Sequence, residues 1–234
     1  MSKEKILKAG KIASEAKEYA RKIIKKGMPL LEIADKIEGL ENNEENKKLI
    51  QASKEALDNS IKLAKEKTQV RFMGKAIQET IESHGFSAVV NLGGHGVTHY
   101  QVHSGIMIPN FDNKKNDSLE IGQYAIEPFA TNGNGKVHDG KPSGIYELKS
   151  GKNIRSPIAR EVLEFIAEEY NTLPFASRWI VKKFGTKGLI GLKQLQENGN
   201  LHHYAVLMET SKGIVSQAEH TILIEKDNTI VTTE

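Results

Sequence analysis

The stretch NLGGHGVTHYQVHSG (residues 91–105) places His95, His99 and His103 four residues apart. On an α-helix, residues at this spacing share one face, so the three histidines would form a single cluster. The stretch also contains four glycines and follows the apolar run FSAVV, and this composition disfavours a helix. We therefore expect extended chain here and no common helical histidine face.

The composition predicts a globular protein of one domain. The chain has 234 residues, of which 38% are hydrophobic and 27% are charged. No apolar run is long enough to cross a membrane, and the N-terminus lacks the apolar core of a secretory signal. We therefore expect a cytoplasmic protein without a membrane partner. A net charge of +3 does not predict a specific nucleic-acid partner. The absence of cysteine excludes thiolate ligands and a cysteine nucleophile.

The first 85 residues are predicted to be almost entirely helical, because their apolar residues recur at helical spacing. Gly27 ends the first predicted helix, and Pro29 suits the start of the second. The predicted helices cover residues 4–27, 30–40, about 49–63 and 73–85.

Beyond residue 85 the pattern changes to short strands and helices, which predicts an α+β fold. Strands are expected where β-branched and apolar residues lie between turn residues, and Pro109 stops one of them. Helices are expected over residues 156–170, 174–185 and 188–199, and strands over residues 86–92, 101–111, 123–131, 201–209, 213–227 and 229–233.

Two of these predicted strands carry charged side chains at unusual positions. Glu127 lies in the apolar segment YAIEPFAT, and Gln217, Glu219 and His220 interrupt GIVSQAEHTILI. A carboxylate in an apolar strand is costly unless it is paired or bound to a metal. Carboxylate oxygens and an imidazole nitrogen suit Mn, Co, Fe or Zn. The alternative is that these glutamates face solvent at a sheet edge and that the histidines of the first stretch are turn residues.

Several motifs together resemble the type II methionine aminopeptidases in their archaeal form. They run in the family's order from about residue 65 to the end, and the N-terminal helices also look like the family's opening. The resemblance implies an α+β pita-bread fold forming a single domain over residues 1–234, with a helical insertion subdomain over residues 142–200. The motifs are NLGGHGVTHYQVHSG with IPN, YAIEPFAT with NGNGKV, LPFASRW and GIVSQAEHTILI.

The resemblance also implies a metal-dependent enzyme that removes the initiator methionine from the N-terminus of nascent chains. By motif, the metal ligands are His95, Glu127 and Glu219. His103 matches the histidine that contacts the substrate near the scissile bond, and Gln217 lies beside the bridging glutamate. More weakly, His202 and His203 match a stretch that shapes the methionine side-chain pocket; alternatively they are a strand-start pair, one in and one out.

One family segment is absent from this sequence. The family carries its two aspartate ligands on a β-hairpin after the second helix, but here ADKIEGL continues directly into ENNEENKKLI. The fold is therefore expected to be an incomplete pita-bread, with an apparent deletion near residues 40–43. None of the aspartates lies in the required pattern; they are Asp35 and Asp58 on predicted helices, and Asp112, Asp117, Asp139 and Asp227 in predicted loops or turns.

The missing ligands predict one divalent ion (Co, Mn, Fe or Zn) or none, rather than two, and aminopeptidase activity that is reduced or lost. The lost strands also predict an exposed sheet, which a homodimer could cover. Two alternatives stay open. One is a non-catalytic pita-bread-like protein that binds the ribosome or a protein partner. The other is an engineered deletion variant.

Overall fold

The computed structural model describes residues 2–23 and 44–234. The predicted helix over residues 30–40, the end of the first helix (24–27) and the expected junction near residues 40–43 lie outside the described residues. None of the helices in the described ranges is both long and apolar enough to pass through a lipid bilayer. The described residues divide into two compact units, one of residues 2–23, 44–98, 103–137 and 209–234, the other of residues 99–102 and 138–208.

The first helix, α1 (Lys3–Ile23), lies against the C-terminal residues of the chain. A Cβ on Gly10 would lie only 1.9 Å from the carbonyl oxygen of Thr232, so this helix position requires glycine. Ser14 Oγ donates to the carbonyl of Glu234, and Lys17 Nζ donates to that of Thr233, each over 3.0 Å.

Two further helices, α2 (Glu44–Leu63) and α3 (Val70–Ser83), confirm the predicted third and fourth helices. Their buried residues recur at helical spacing and pack together against two short strands. One core cluster consists of Leu49, Ala52 and Ala56 of α2, Ile77 and Ile81 of α3, and Ala88 and Ala130 of the strands.

The strands of this unit form two antiparallel sheets. The smaller sheet has the order β1-β5-β9 and the larger has the order β11-β10-β4-β2-β3. The strands are β1 (Ser87–Ala88), β2 (Gly93–Thr98), β3 (Gln101–Pro109), β4 (Gly122–Ile126), β5 (Phe129–Thr131), β9 (Val215–Gln217), β10 (His220–Ile224) and β11 (Thr229–Val231).

The larger sheet packs one face against the helices. Tyr124 and Ile126 of β4 and Ile222 and Ile224 of β10 share a buried cluster with Met73 of α3. Because side chains alternate across a strand, residues 125, 127, 219, 221 and 223 belong to the opposite face. This opposite face carries Glu127 and Glu219, whereas His220 is on the same face as Ile222 and Ile224.

The second unit has its own sheet and core. The sheet has the order β7-β6-β8, and its helices bury Val162, Ile166, Ile180 and Leu192. Its elements are β6 (Val137–Leu148), α4 (Pro157–Glu169), β7 (Phe175–Ala176), α5 (Ser177–Phe184), α6 (Lys187–Glu197) and β8 (Leu201–Glu209). Residues 142–148 thus belong to the strand β6, whereas the sequence predicted a helical insertion from residue 142. That residues 142–200 form an insertion stays a prediction.

The α+β class is confirmed, but several strand predictions are wrong in extent. The strand predicted over residues 86–92 is only Ser87–Ala88, because the chain turns into β2 at Gly93. The strands predicted over 123–131 and 213–227 are each interrupted, since both pass from one sheet to the other. Asp139, predicted in a loop, lies within β6.

The loop 132–135, which has the sequence NGNG, is held by the carboxylate of Glu209. This carboxylate accepts hydrogen bonds from the backbone N–H groups of Asn134 (2.9 Å), Ser211 (2.6 Å) and Gly213 (2.9 Å) and from the Ser211 hydroxyl (2.7 Å). A Cβ on Gly133 would lie 2.4 Å from the carboxyl carbon, so a larger residue there would displace the Glu209 side chain.

The pKa of Glu209 predicts acid sensitivity of this loop. Burial raises the pKa, but the hydrogen bonds, led by that from the Ser211 hydroxyl, outweigh burial and lower the pKa to about 2. Because the folded-state pKa lies below the ordinary value of 4.5, stability from this group is present above pH 4.5 and is lost as the pH falls toward about 2.

Glu209→Gln should lower the free energy of unfolding at neutral pH and flatten its dependence on pH in this window, measured by denaturant titration. The exposed Glu168→Gln is the matched control; if both variants keep the same acid dependence as the parent, Glu209 does not hold the loop.

Candidate functional site

The β4–β10 pair of the larger sheet continues along both chain segments into the β5–β9 pair of the smaller sheet. In the larger sheet Ile126 pairs with His220, and in the smaller sheet Phe129 pairs with Gln217. Both pairings have the same register, so the register continues unbroken across the residues between them. Continuing it places Glu127 directly opposite Glu219.

The crossing itself is made by Pro128 and Ala218. Proline has no N–H to donate to a ladder, which suits a position where the strand pairing changes. The Ala218 N–H donates to the carbonyl of Pro128 over 3.3 Å and keeps the two segments together. The interruption seen in both predicted strands is therefore the feature that sets the two carboxylates side by side.

His95 approaches Glu127 from the neighbouring strand. It lies on β2 opposite Ala125, which places it on the same face as Glu127, and its Nε2 is 3.1 Å from Glu127 Oε1. Both side chains are well covered, with 15% and 13% of their surface exposed. The Nδ1 atom lies 3.1 Å from the carbonyl oxygen of Gly96.

Both ring nitrogens of His95 therefore face acceptors, which favours the imidazolium form. Burial lowers the pKa of His95, but the hydrogen bonds to Glu127 and to the Gly96 carbonyl, with the charges of Glu127 and Glu219, outweigh burial and raise it. When it is protonated, the imidazole places a positive charge beside the two carboxylates.

Gln217 joins the two carboxylates. Its Nε2 donates to Glu127 Oε2 over 2.8 Å and to Glu219 Oε2 over 3.2 Å. The pKa of Glu219 is raised, first by partial loss of water around its carboxyl and then by repulsion from Glu127; the charges of His95 and Lys17 act in the opposite direction. The amide thus stabilises a pair of like charges that would otherwise repel each other.

The donor chemistry of this site suits a divalent ion, but the donors are not arranged around a vacant position. His95, Glu127 and Glu219 offer one nitrogen and carboxylate oxygens, the ligands that Mn, Co, Fe and Zn accept. Within residues 2–23 and 44–234, however, no three His, Asp or Glu side chains already surround a common metal position, so an ion could bind here only if these side chains rearranged. The donor atoms instead bond to one another and to Gln217.

The structure also places the other predicted residues. His103 lies on β3 with its ring centroid 4.4 Å from that of His95, so it belongs to the same site. His99 lies next to the hairpin end and contacts the ring of Tyr100 at 4.3 Å. The four residues with the strongest motif assignments, together with Gln217, are thus brought together, whereas His99 is not part of the group.

His202 and His203 belong to the second compact unit. His203 stacks on Tyr146 with a centroid distance of 4.0 Å, and its Nε2 accepts a hydrogen bond from the Gly144 N–H over 3.1 Å. Burial and the charge of His202 lower the pKa of His203. His202 is exposed and His203 is half-buried, so one points outward and one inward; that the pair shapes a methionine pocket stays a prediction.

Sequence reasoning missed the residues that hold the segment after Glu219. Thr233 Oγ1 accepts the Thr221 N–H over 3.0 Å and lies 3.1 Å from His220 Nδ1. The turn between β10 and β11 could have revealed this contact, because a hairpin closed at Glu225 and Asn228 brings residue 233 opposite residue 220.

Comparison with known proteins identifies the family. The model of metallopeptidase family M24 matches residues 39–226. A methionine aminopeptidase of Pyrococcus abyssi is 35% identical, with all of both chains covered, and one of Methanocaldococcus jannaschii is 34% identical, with 99% of this chain and 98% of the relative covered. The alignment with the Pyrococcus abyssi protein has 297 positions, which is 63 more than the 234 residues of this chain.

Solved structures show the same fold. A thermophilic Arx1 superposes with a TM-score of 0.66 at 12% identity, covering 80% of this chain and 57% of that one. The methionine aminopeptidase of Thermotoga maritima gives a TM-score of 0.51 at 21% identity, covering 82% of this chain and 53% of that one. This chain thus spans little more than half the length of these solved structures, and the predicted pita-bread fold is confirmed. By sequence and by fold, the chain belongs to metallopeptidase family M24, among the methionine aminopeptidases.

Proposed function

We propose that this chain is a methionine aminopeptidase homologue that binds one divalent ion at His95, Glu127 and Glu219 and has reduced or no capacity to remove N-terminal methionine. The observation that carries the proposal is the pair of carboxylates placed opposite each other by a shared register. Membership of a metallopeptidase family implies that a divalent metal is used. The number of ions, the residual activity and the nascent-chain substrate are parts of the proposal.

The opposed carboxylates support a cation at this position. Like charges directly opposite each other in an antiparallel pair are destabilising. Gln217 and His95 do not remove this repulsion entirely, since the pKa of Glu219 stays raised, first by burial and then by the charge of Glu127. A divalent cation would replace the imidazolium proton and draw both carboxylates inward, and its binding would release that proton from His95.

The residues of the site would then have distinct tasks. A bound divalent ion supplies Lewis acidity and lowers the pKa of a coordinated water. The Gly96 carbonyl holds Nδ1 of His95 and fixes the ring orientation, leaving Nε2 for a metal. Gln217 would orient Glu127 and Glu219, and His103, adjacent to His95, would contact the peptide near the scissile bond.

The donor count supports one ion and weak catalysis. The described residues supply three ligands, and the Pyrococcus abyssi relative has alignment positions to which this chain contributes no residue. Asp112, one of the six aspartates, is already bound by Lys114 (2.6 Å) and close to Arg71 (3.3 Å). A nucleophile held by fewer groups is poorly positioned, and misplacement by about 1 Å can cost roughly 100-fold in rate.

Metal binding is the direct test. Titration of the metal-free chain with Mn²⁺ in a calorimeter should give a stoichiometry of one ion per chain, with proton release. Glu127→Gln and Glu219→Gln should each weaken binding by at least about tenfold, because each removes a charged ligand. Glu55→Gln is the matched control, since Glu55 forms a similar pair with His84 (2.7 Å) outside the site.

Two results would contradict this proposal in different ways. Two ions per chain would show that a second ligand set exists. No heat of binding with Mn²⁺, Co²⁺ or Zn²⁺ would show that the site is not a metal centre and would favour the non-catalytic binding protein.

Removing one carboxylate should also change the stability of the metal-free chain. Glu219→Gln removes one of two opposed charges but leaves an oxygen that can accept from Gln217. The free energy of unfolding without metal should therefore rise by roughly 0.2–1 kcal/mol, the range for cross-strand pairs. The same substitution should abolish the stabilisation by added Mn²⁺ in thermal denaturation. A fall in metal-free stability would mean that Glu219 has a purely structural role.

Catalysis has its own assay. With saturating Mn²⁺ or Co²⁺, hydrolysis of a Met-Ala-Ser tripeptide should be at least about 100-fold slower than by the Pyrococcus abyssi relative, because the donor set is incomplete. Residual activity, where present, should be lost in His103→Ala. Turnover equal to that of the relative would show that the site is complete in solution.

A further inference from the structure

The segment 170–196 of the second unit is unusually basic. It contains five lysine and arginine residues and no aspartate or glutamate, whereas α4 just before it carries four glutamates. The whole chain has a net charge of only +3, so the rest of the chain is slightly acidic. The basic residues are Arg178, Lys182, Lys183, Lys187 and Lys193.

Most of these cations are gathered on one exposed face of α5. The helix buries Ile180 in the core of the second unit and packs Phe184 against that core. Arg178 and Lys182, and likewise Trp179 and Lys183, are four residues apart and therefore neighbours on the helix surface. All four are exposed. We call these four residues, together with the exposed Lys187 at the start of α6, the basic face.

The cations of the basic face form no ion pairs with the described residues. Among the described residues, no carboxylate lies within 4.0 Å of their nitrogens; Lys193 is the member of the segment that has one, Glu197 at 3.9 Å. Lys183 lies over the ring of Phe165 at 5.4 Å. Clustered like charges without counter-ions raise the local potential and attract an anionic partner.

An exposed indole lies within this cluster. The Trp179 ring contacts Tyr170 at a centroid distance of 5.6 Å and has the Arg178 guanidinium 5.5 Å from its centroid, yet 41% of the residue is exposed. A supported aromatic ring beside cations is the arrangement on which nucleic-acid bases stack while phosphates are neutralised.

We propose that the basic face binds RNA without sequence preference, with a base stacked on Trp179 and the phosphates held by Arg178, Lys182, Lys183 and Lys187. An anionic lipid surface is the competing partner. It is disfavoured because a membrane-binding helix needs a free apolar face, and the apolar residues Ile180 and Phe184 of α5 are engaged in the core. This inference is independent of the metal site.

Trp179 is the only tryptophan in the chain, so its fluorescence reports on this face alone. Adding a 12-nucleotide oligouridylate at low salt should quench the emission saturably. The logarithm of the binding constant should fall with the logarithm of the salt concentration with a slope of about −3, the value for about four phosphates of a single strand.

The variants test which residues bind. In anisotropy measurements with a labelled oligouridylate, Lys182→Gln/Lys183→Gln should weaken binding by at least about tenfold and reduce the salt slope by about one unit or more. Trp179→Ala should weaken it by about five- to 100-fold, as expected for a lost stacking platform. Lys47→Gln/Lys48→Gln, on exposed α2 positions, removes the same charge and should bind like the parent. Circular dichroism of each variant would establish that it is folded.

Three outcomes would overturn the proposal. The first is no change in fluorescence or anisotropy when the parent chain is titrated with oligouridylate. The second is an equal loss of affinity in the α2 control and the α5 variant, which would mean that only net charge matters. The third is a blue shift of the emission with vesicles containing phosphatidylserine but no change with oligouridylate, which would assign the face to a lipid surface.

Discussion

The interaction on which the site depends is the repulsion between Glu127 and Glu219. A single register that continues through two sheets forces these carboxylates to face each other. Gln217 donates to both, and His95 is held against one, so the surrounding residues offset a charge pair that the backbone creates. A fold that needed only stability would not place two acids opposite each other on a covered sheet face. The cost is consistent with a site shaped for a cation.

The close approach of β2 to its neighbours explains the glycines around His95. A Cβ on Gly94 would lie 2.3 Å from the Ala125 carbonyl oxygen, and one on Gly96 would lie 2.5 Å from that of Ser104. Larger residues would therefore push β2 away from β3 and β4 and move the His95 imidazole off Glu127. The glycines that disfavoured a helix in the sequence are thus required by strand packing, because only a residue without a Cβ fits between the strands.

Local patterns carried much of the prediction. Helical periodicity located α2, α3 and α4 within a few residues, and the apolar segments around Glu127 and Glu219 marked both carboxylates as exceptional. The motif resemblance added His95, His103 and Gln217 to the same site. Contacts between distant segments could not be obtained in this way, because the facing of Glu127 and Glu219 depends on a register between strands some 90 residues apart. The same limitation hid Thr233, whose contact with His220 depends on a hairpin register.

Net charge was the least informative property, and the structure shows why. The value of +3 is the sum of two charges: the positive charge of the acid-free segment 170–196 and the slightly negative charge of the remaining residues, which include the opposed carboxylates. Electrostatic attraction depends on charge within about a Debye length, roughly 8–10 Å in physiological salt, so the sum over the chain predicts neither partner. The proposed cation at Glu127 and the proposed polyanion at Lys182 would each respond to the charge in their own neighbourhood. A protein with nearly balanced charge can therefore carry local regions of opposite sign, each set by local sequence.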